Sequence, residues 1–440
     1  MSISSSSNGT PSSEGVPHFQ NRGWQPLLTG AAAAAARDAV LAIAADLGSR
    51  LPEDRSREAG QPFRSPLARG PAGTALFFAY AHLADPDRGW DDACLQAIRD
   101  ALATTAASDM GPGLFTGVTG VGWVLQHLDG LLFETKEDPG AEVESALVQD
   151  LARNRQRWPP ELIGGLAGYG VYFLERLPRA SARQGVERVI DQLAGLAEER
   201  NDAIAWFTPA RNVPPSQLES APAGCYNLGV SHGVPGTIGF LAAAHRQGVA
   251  VAETRRLLDG AVRWLLAQRL PGGSAGVFPA LVGPGIEPAP TRLAWCYGDP
   301  GIAAVLLSAA RSLGREDWER EALACARHAA GRRGGDTRVV DAGLCHGAAG
   351  LGHLFHRLFR ATGDETLREA ALHWLQRTLE MRHPGSGPGG FQSADSDAAG
   401  RLTWTGDPGF LPGAAGIGLA LLAALSPVEP EWDRLLLLSL

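Results

Sequence analysis

A Gly-x-x-Gly step recurs seven times along this chain. It appears as Gly70-Pro71-Ala72-Gly73, Gly117-Val118-Thr119-Gly120, Gly165-Leu166-Ala167-Gly168, Gly233-Val234-Pro235-Gly236, Gly298-Asp299-Pro300-Gly301, Gly347-Ala348-Ala349-Gly350 and Gly413-Ala414-Ala415-Gly416. The first glycines lie 47, 48, 68, 65, 49 and 66 residues apart. One such step means little in a chain of 440 residues with 55 glycines. Seven at quasi-regular spacing, each followed by an apolar run, mark an internal repeat. Repeats that share one core count as one domain, which overrides the two or three domains that length alone suggests.

Each repeat carries two helical patterns. The segment before the step is amphipathic, as in Ala31–Leu47, Asp91–Ala107, Ala141–Trp158, Gly185–Glu199, Glu253–Arg269, Glu316–Arg332 and Glu365–Met381. The segment after it is apolar nearly all round, as in Thr74–Leu83, Val121–Leu132, Tyr169–Leu177, Thr237–Ala244, Ile302–Ala310, Leu351–Phe359 and Ile417–Leu425. A helix of the second kind must be buried and one of the first kind lies outside it. The expected fold is all-α, with seven inner and seven outer helices paired in sequence and closed into a ring. The glycines are expected at the entry to each inner helix, allowing unusual dihedrals and close approach where seven helix ends converge. Three longer connections, Ala205–Gly224, Pro271–Pro290 and Pro384–Gly400, read as irregular rim loops that shape a groove.

The net charge of −8 and the lack of a basic patch exclude nucleic acid as a partner. Five cysteines in a long chain do not read as a disulfide framework, and a reducing cytoplasm is expected. Residues 1–28 read as a Ser-rich disordered tail rather than a signal peptide, ahead of one catalytic domain over 29–440. Ala31–Ala36 is soon interrupted by Arg37 and Asp38, and no stretch is long and apolar enough to span a membrane.

Aligned on the first glycine of each step, His232, Tyr297 and His346 share one repeat position, and Cys296 and Cys345 share the position before it. A ring brings these side chains to one axial depression. Two thiolates and an imidazole suit Zn²⁺, and three protein ligands leave a fourth position open, as in catalytic sites. The metal set is therefore Cys296, Cys345 and His346, with His232 as acid or base. A lone cysteine in an Ala-rich helix is usually a small core residue, which is the reading for Cys94 and Cys325. Cys225, near the approach to His232, has at most a minor role. His127, His353, His356 and His373 lie outside this register and read as structural or surface residues.

These residues stand in motifs that resemble the lanthionine synthetase C family. The motifs are Ser231-His232-Gly233-Val234-Pro235-Gly236, Trp295-Cys296-Tyr297-Gly298-Asp299-Pro300-Gly301, Cys345-His346-Gly347-Ala348-Ala349-Gly350 and Phe410-Leu411-Pro412-Gly413-Ala414-Ala415-Gly416. The resemblance runs from about residue 30 to the end of the sequence. It implies an α/α toroid with one zinc, held at Cys296, Cys345 and His346. It implies a cyclase that adds peptide cysteine thiols to dehydroalanine or dehydrobutyrine. His232 matches the family's active-site histidine, Arg292 an arginine near the site, and Tyr297 the residue after the first zinc cysteine. Where the family carries an aspartate four residues before the third glycine step, this chain has Glu161, one methylene longer. The expected partners are a dehydrated precursor peptide, a separate dehydratase and an exporter. Three other readings stand beside this one. The protein could add a small thiol such as glutathione to dehydroamino acids, or be a zinc-containing peptide-binding scaffold without turnover. A glycan-cleaving enzyme is the third, with Asp299 and Asp407 as the available carboxylates, although both read more simply as turn residues.

Overall fold

The structure is a computed structural model that describes residues 23–49, 66–154, 157–213, 217–396 and 401–440. Among these residues the helices are α1 (Gly30–Gly48), α2 (Pro71–Ala84), α3 (Trp90–Ala106), α4 (Val118–Leu128), α5 (Ala141–Arg153), α6 (Leu166–Glu175), α7 (Ala180–Leu196), α8 (Val234–Arg246), α9 (Val251–Leu266), α10 (Asp299–Leu313), α11 (Glu316–Gly331), α12 (Ala348–Thr362), α13 (Glu365–Glu380) and α14 (Ala414–Leu425). The even-numbered helices form the inner ring and the odd-numbered ones surround it. Inner helices pack on one another in order, α2 on α4 through to α12 on α14, and α14 packs back on α2. The chain is an all-α α/α toroid. None of the described helices is long and apolar enough to cross a membrane.

Sequence dictates which ring each helix joins. In α14, Ile417, Leu419, Leu421 and Leu422 point in several directions and all are buried. Each such side chain contributes about 1.5–3 kcal/mol when removed from water. In α9, Leu257, Leu258, Ala261, Val262 and Leu265 are buried while Arg255, Arg256 and Arg263 stay at or near the surface.

The pairing differs from the expected order. Each inner helix packs against the outer helix that follows it, and α1 packs against α14. Both ends of the ring-forming chain thus build the seventh pair. Trp24 Nε1 donates to Ala423 O at 2.8 Å, and the Leu27 and Leu28 N–H groups donate to Ala424 O. Of the tail expected over 1–28, residues 1–22 lie outside the described residues. Trp24, Leu27 and Leu28 are buried.

The glycine steps have a more local cause than crowding at an axis. Inner helices begin directly after the first glycine, whose backbone is extended, not left-handed, in every repeat. The first-turn N–H groups, which a helix cannot satisfy internally, are met by the preceding loop folded beneath them. Ala348, Ala349 and Gly350 donate to the carbonyls of Asp341, Ala342 and Gly343, and Ala414, Ala415 and Gly416 do the same to Asp407, Pro408 and Gly409. That loop leaves no room for a side chain. A methyl group on Gly73 would stand 2.6 Å from Leu67 O, and on each of the other six second glycines it would press closer still on the carbonyl six residues earlier.

The loops are also joined to one another. Cys296 N–H donates to Cys345 O at 3.3 Å, Cys345 to Leu411 at 2.9 Å, Leu411 to Ala68 at 2.9 Å, and Ala68 to Phe115 at 3.3 Å. Phe115 donates to Ile163 at 3.0 Å, Leu162 to Ser231 at 3.1 Å, and Ser231 back to Cys296 at 3.4 Å. The result is a closed backbone girdle at one mouth of the ring.

The long connections are less irregular than expected. They carry short antiparallel strands, β1 (Glu198–Arg200) with β2 (Ala203–Ala205), β3 (Phe207–Thr208) with β4 (Cys225–Asn227) and β5 (Leu281–Val282), and β6 (Ser393–Ser396) with β7 (Leu402–Thr405). Inside the ring, the segment Glu431–Leu436 is held by Asp433, which bonds His353 Nε2 at 2.7 Å and Arg357 Nε at 2.6 Å. Trp295 Nε1, from the residue before Cys296, donates to Leu436 O at 2.9 Å.

Candidate metal and acid–base site

The girdle sets the site. Cys296 and Cys345 are neighbouring members of it, and their spacing is fixed by the N–H groups of Trp295 and Cys296, which both donate to Cys345 O. His346 follows in the turn that enters α12. The ligand atoms of Cys296, Cys345 and His346 all lie within 4.8 Å of one another, and Cys296 Sγ stands 3.9 Å from His346 Nδ1. Two sulfurs and one imidazole nitrogen, converging at the entry to inner helices, form a donor set that fits zinc. Positive helix ends favour thiolates there.

The two thiols behave as a pair. The Cys296 thiol is held well below its ordinary range, first by its hydrogen bond with Cys345, against the penalty of burial, and then by His346 and the nearby charge of Arg292. Cys345 moves the opposite way, because it donates to Cys296 and is itself buried. One proton leaves the pair readily and the second is retained, a site poised for a cation. Burial pulls the His346 imidazole down, but its hydrogen bond and attraction to Cys296 outweigh this and hold it above its usual value.

His232 sits at the same register as His346, one step of the girdle from Glu161's loop and two from Cys345's. Its Nδ1 is 2.8 Å from Glu161 Oε2. The Glu161 carboxylate also accepts the N–H groups of Ile163 at 2.9 Å and Gly164 at 2.7 Å. The longer side chain therefore reaches the histidine from a fixed base. Burial lowers the His232 imidazole, but the Glu161 hydrogen bond and charge, with the charge of Cys296, raise it above the usual histidine value. With Nδ1 committed to Glu161, Nε2 is the nitrogen left for a reactant.

The Tyr297 ring lies 6.3 Å from the His232 ring, inclined to it by 29°. Its hydroxyl accepts from Asn227 Nδ2 at 2.9 Å and is 3.4 Å from Gln217 Oε1. Burial raises the phenol far above its ordinary range, so it stays protonated. Arg292 is exposed at the edge of the site, and its charge acts on both cysteines and on His346.

Two residues of this neighbourhood carry no sequence motif of their own, Asn227 and Asp341. They stand six residues before the first glycine of their steps, as Arg292 and Asp407 do. Asn227 Oδ1 accepts Gly229 N–H at 2.8 Å, Asp341 Oδ1 accepts Gly343 N–H at 3.2 Å, and Asp407 Oδ1 accepts Gly409 N–H at 2.7 Å. Aligning the repeats on glycine exposes this polar position. Asp299 and Asp407 both accept backbone N–H groups of loops. Asp299 is fully buried, and its carboxylate accepts the N–H groups of Val277 at 2.9 Å and Phe278 at 3.0 Å.

The other cysteines, and His127, His353 and His356, have different surroundings. Cys94 and Cys325 are core residues. Cys225 packs with Val213, Ala221 and Leu281, where burial pushes its thiol up to about 11. His127 bridges Tyr80 and Glu175, His353 bonds Asp433, and His356 packs against Trp24.

The sequence profile of the family described as lanthionine synthetase C-like protein matches residues 61–437. The chain is similar to the nisin biosynthesis protein NisC of Lactococcus lactis subsp. lactis, at 27% identity over 213 residues, which are 46% of this chain and 50% of that protein. It thus aligns with about half the length of that relative. It is also similar to the glutathione S-transferase LANCL1 of Danio rerio, at 24% identity over 311 residues, or 67% of this chain and 70% of that protein. Among solved structures, a nisin cyclase has a TM-score of 0.70 at 21% identity, covering 87% of this chain and 94% of the other, which speaks for the shared toroid. A family profile that spans most of the ring, on a chain whose motifs meet at one mouth of it, places this protein in the lanthionine synthetase C-like family.

Proposed function

We propose that this protein is a zinc-dependent cyclase that joins peptide cysteine thiols to dehydroalanine or dehydrobutyrine, forming lanthionine and methyllanthionine thioethers. The observation that carries this reading is the convergence of Cys296, Cys345 and His346 within 4.8 Å at the mouth that also holds the His232–Glu161 pair. Zinc held by those three side chains would supply Lewis acidity that favours a thiolate near neutral pH.

The protein's own groups account for the proton traffic. His232 Nε2 takes the proton of the incoming thiol as the S–H bond breaks. The sulfur lone pair forms the S–C bond at the β-carbon, and the π electrons move to the α-carbon and its carbonyl. Arg292 offsets the negative charge that develops there. The imidazolium, stabilised by Glu161, returns the proton to the α-carbon, which closes the balance. Tyr297, protonated and tied to Asn227, forms a wall that keeps the imidazole in place.

A second reading is supported by the match to LANCL1, which extends over two thirds of the chain. Here the thiol is glutathione and the addition is intermolecular. One experiment separates the two. The protein is incubated with a dehydrated, cysteine-containing peptide, with and without glutathione, followed by thiol alkylation and mass spectrometry. Cyclisation leaves the mass unchanged and removes the alkylatable thiol, whereas transfer adds one glutathione. Both activities should fall in His232→Ala and Cys345→Ala. A wild type that holds zinc and binds the peptide tightly but performs neither reaction leaves the zinc-containing peptide-binding scaffold as the better reading, and one that neither carries zinc nor takes it up overturns the proposal.

A further inference from the structure

One loop device recurs in the fourth, sixth and seventh repeats. The residue six before the first glycine is Asn227, Asp341 or Asp407. Its Oδ1 accepts the N–H two residues on, at 2.8, 3.2 and 2.7 Å respectively. The same oxygen lies under that glycine: a methyl group on Gly233, Gly347 or Gly413 would stand 2.7, 2.5 or 2.5 Å from it. An amide serves at 227 as a carboxylate does at 341 and 407. The loop therefore needs an acceptor there, not a charge.

The second polar atom tells the three apart. Asn227 Nδ2 donates to the Tyr297 hydroxyl at 2.9 Å. Asp407 Oδ2 accepts from Arg69 Nη1 at 2.8 Å, so a cation offsets its charge. Asp341 Oδ2 accepts the Ala394 N–H at 2.9 Å, so both of its oxygens meet neutral backbone groups. Among the described residues no Lys, Arg or His side chain forms an ion pair with Asp341. The residue is only 2% exposed. Buried charges are ordinarily paired or directed at a metal.

Its position indicates the missing counter-charge. Asp341 Oδ1 packs against Gly347, the residue after His346, and the Asp341 carbonyl accepts the Ala348 N–H at 2.9 Å where α12 begins. The negative charge of Asp341 acts on both Cys345 and His346. A divalent ion carries twice the charge of a thiolate. At like distance Asp341 thus attracts the ion more than it opposes loss of the Cys345 proton. Arg292 acts on the same groups with the opposite sign, but from the exposed edge of the site, where solvent and salt screen it.

We propose that Asp341 is a positioning residue of the metal set, whose uncompensated charge is balanced by the ion at Cys296, Cys345 and His346 and tightens its binding. This rests on the zinc reading, and the test keeps the two apart. Metal-free protein, prepared with chelator and reductant, is titrated with Zn²⁺ in competition with a chromophoric chelator. A parallel titration uses Co²⁺, whose visible absorption reports tetrahedral thiolate coordination. Asp341→Asn keeps the Oδ1 acceptor, as Asn227 does, and removes the charge. It should weaken Zn²⁺ binding about tenfold or more, with the tetrahedral absorption intact at saturation. Asp341→Ser, whose hydroxyl can accept the Gly343 N–H, should do the same and stands in if the asparagine variant does not fold. Asp407→Asn, at the position whose charge Arg69 already offsets, should bind Zn²⁺ within about twofold of wild type. Wild-type protein that binds neither ion sinks the zinc reading and this proposal with it. Zinc uptake by wild type with an unchanged Kd in Asp341→Asn overturns this proposal alone. Equal weakening in Asp407→Asn does so too, as the mark of a general loss of loop stability. Loss of the tetrahedral absorption in saturated Asp341→Asn would likewise overturn it, making the residue a brace of the loop instead of a source of charge.

Discussion

Replacing Glu161 by glutamine tests the acid–base half of the site. The native carboxylate faces three donors: the N–H groups of Ile163 and Gly164, at 2.9 and 2.7 Å, and His232 Nδ1, at 2.8 Å. An amide offers one acceptor oxygen, and its NH₂ must then oppose one of those donors. A hydrogen bond to a charged group is worth about 1.5–3 kcal/mol, and leaving a partly buried donor unmet costs a similar amount. At about 1.4 kcal/mol per tenfold, kcat/KM should fall roughly ten- to a hundredfold. The pH profile should move as well. Glu161 holds His232 above its usual value against burial, so without that charge burial prevails and the imidazole titrates at lower pH. The same sign governs stability. The pair's contribution is complete below the unfolded histidine value near 6.5 and is lost as pH rises through the higher folded value. The assay is the rate of thiol loss from a dehydrated peptide across pH, beside the urea midpoint at each pH. A glutamine variant with kcat/KM within about twofold of wild type and an unmoved acid limb would refute the role assigned to Glu161.

The other predictions concern the metal set, the glycine step and the buried charges. Chelator treatment should lower the melting temperature of wild type and leave that of Cys345→Ala unchanged, because a ligand bound only to the folded state adds stability, about 4 kcal/mol at a thousandfold excess over Kd. Gly350→Ala should cost about 1–3 kcal/mol in urea unfolding, since its methyl would press on Leu344 backbone atoms, while Gly272→Ala, with open space around it, should cost little. Asp433→Asn should cost about 3–5 kcal/mol, because it removes the buried partner of Arg357 and His353. Burial alone would raise the Asp433 carboxyl, but Arg357 and His353 hold it below 3.8, so the gap between variant and wild type persists above that pH and narrows as pH falls through the lower folded value.

The ring and the register of its site are legible in the sequence because one residue type reports both. Glycine is required where the loop passes beneath the first turn of an inner helix, and the side chains just before it necessarily face the mouth. The alternation of amphipathic and wholly apolar helices adds the inside and the outside. Which helices pair is less legible, since each inner helix but the last has an outer neighbour on both sides in sequence. The signal lies in loop length: α10 ends at Leu313 and α11 starts at Glu316, whereas α11 to α12 spans Arg332 to Gly347. Short connections join antiparallel neighbours. The strands escape notice because they are two to four residues long and lie in Gly- and Pro-rich loops. Asn227 and Asp341 escape notice because a single polar residue in a loop has no pattern until the repeats are superposed. The reach of Glu161 to His232 depends on side-chain geometry that spacing alone does not encode.

The girdle of seven hydrogen bonds bears on how such a protein can vary over evolution. In an open stack of repeats, a duplicated unit simply lengthens the array. Here the last loop must meet the first, and a sixth-repeat deletion or an eighth copy would change the curvature at every junction and leave two loops unjoined. Copy number is therefore quantised, and genetic novelty has to enter elsewhere. It enters between an outer helix and the next inner one, where the repeat spacing already ranges from 47 to 68 residues and where the short strands of the connections reside. A scaffold closed in this way holds its reactive centre constant and leaves the surroundings of that centre free to diversify.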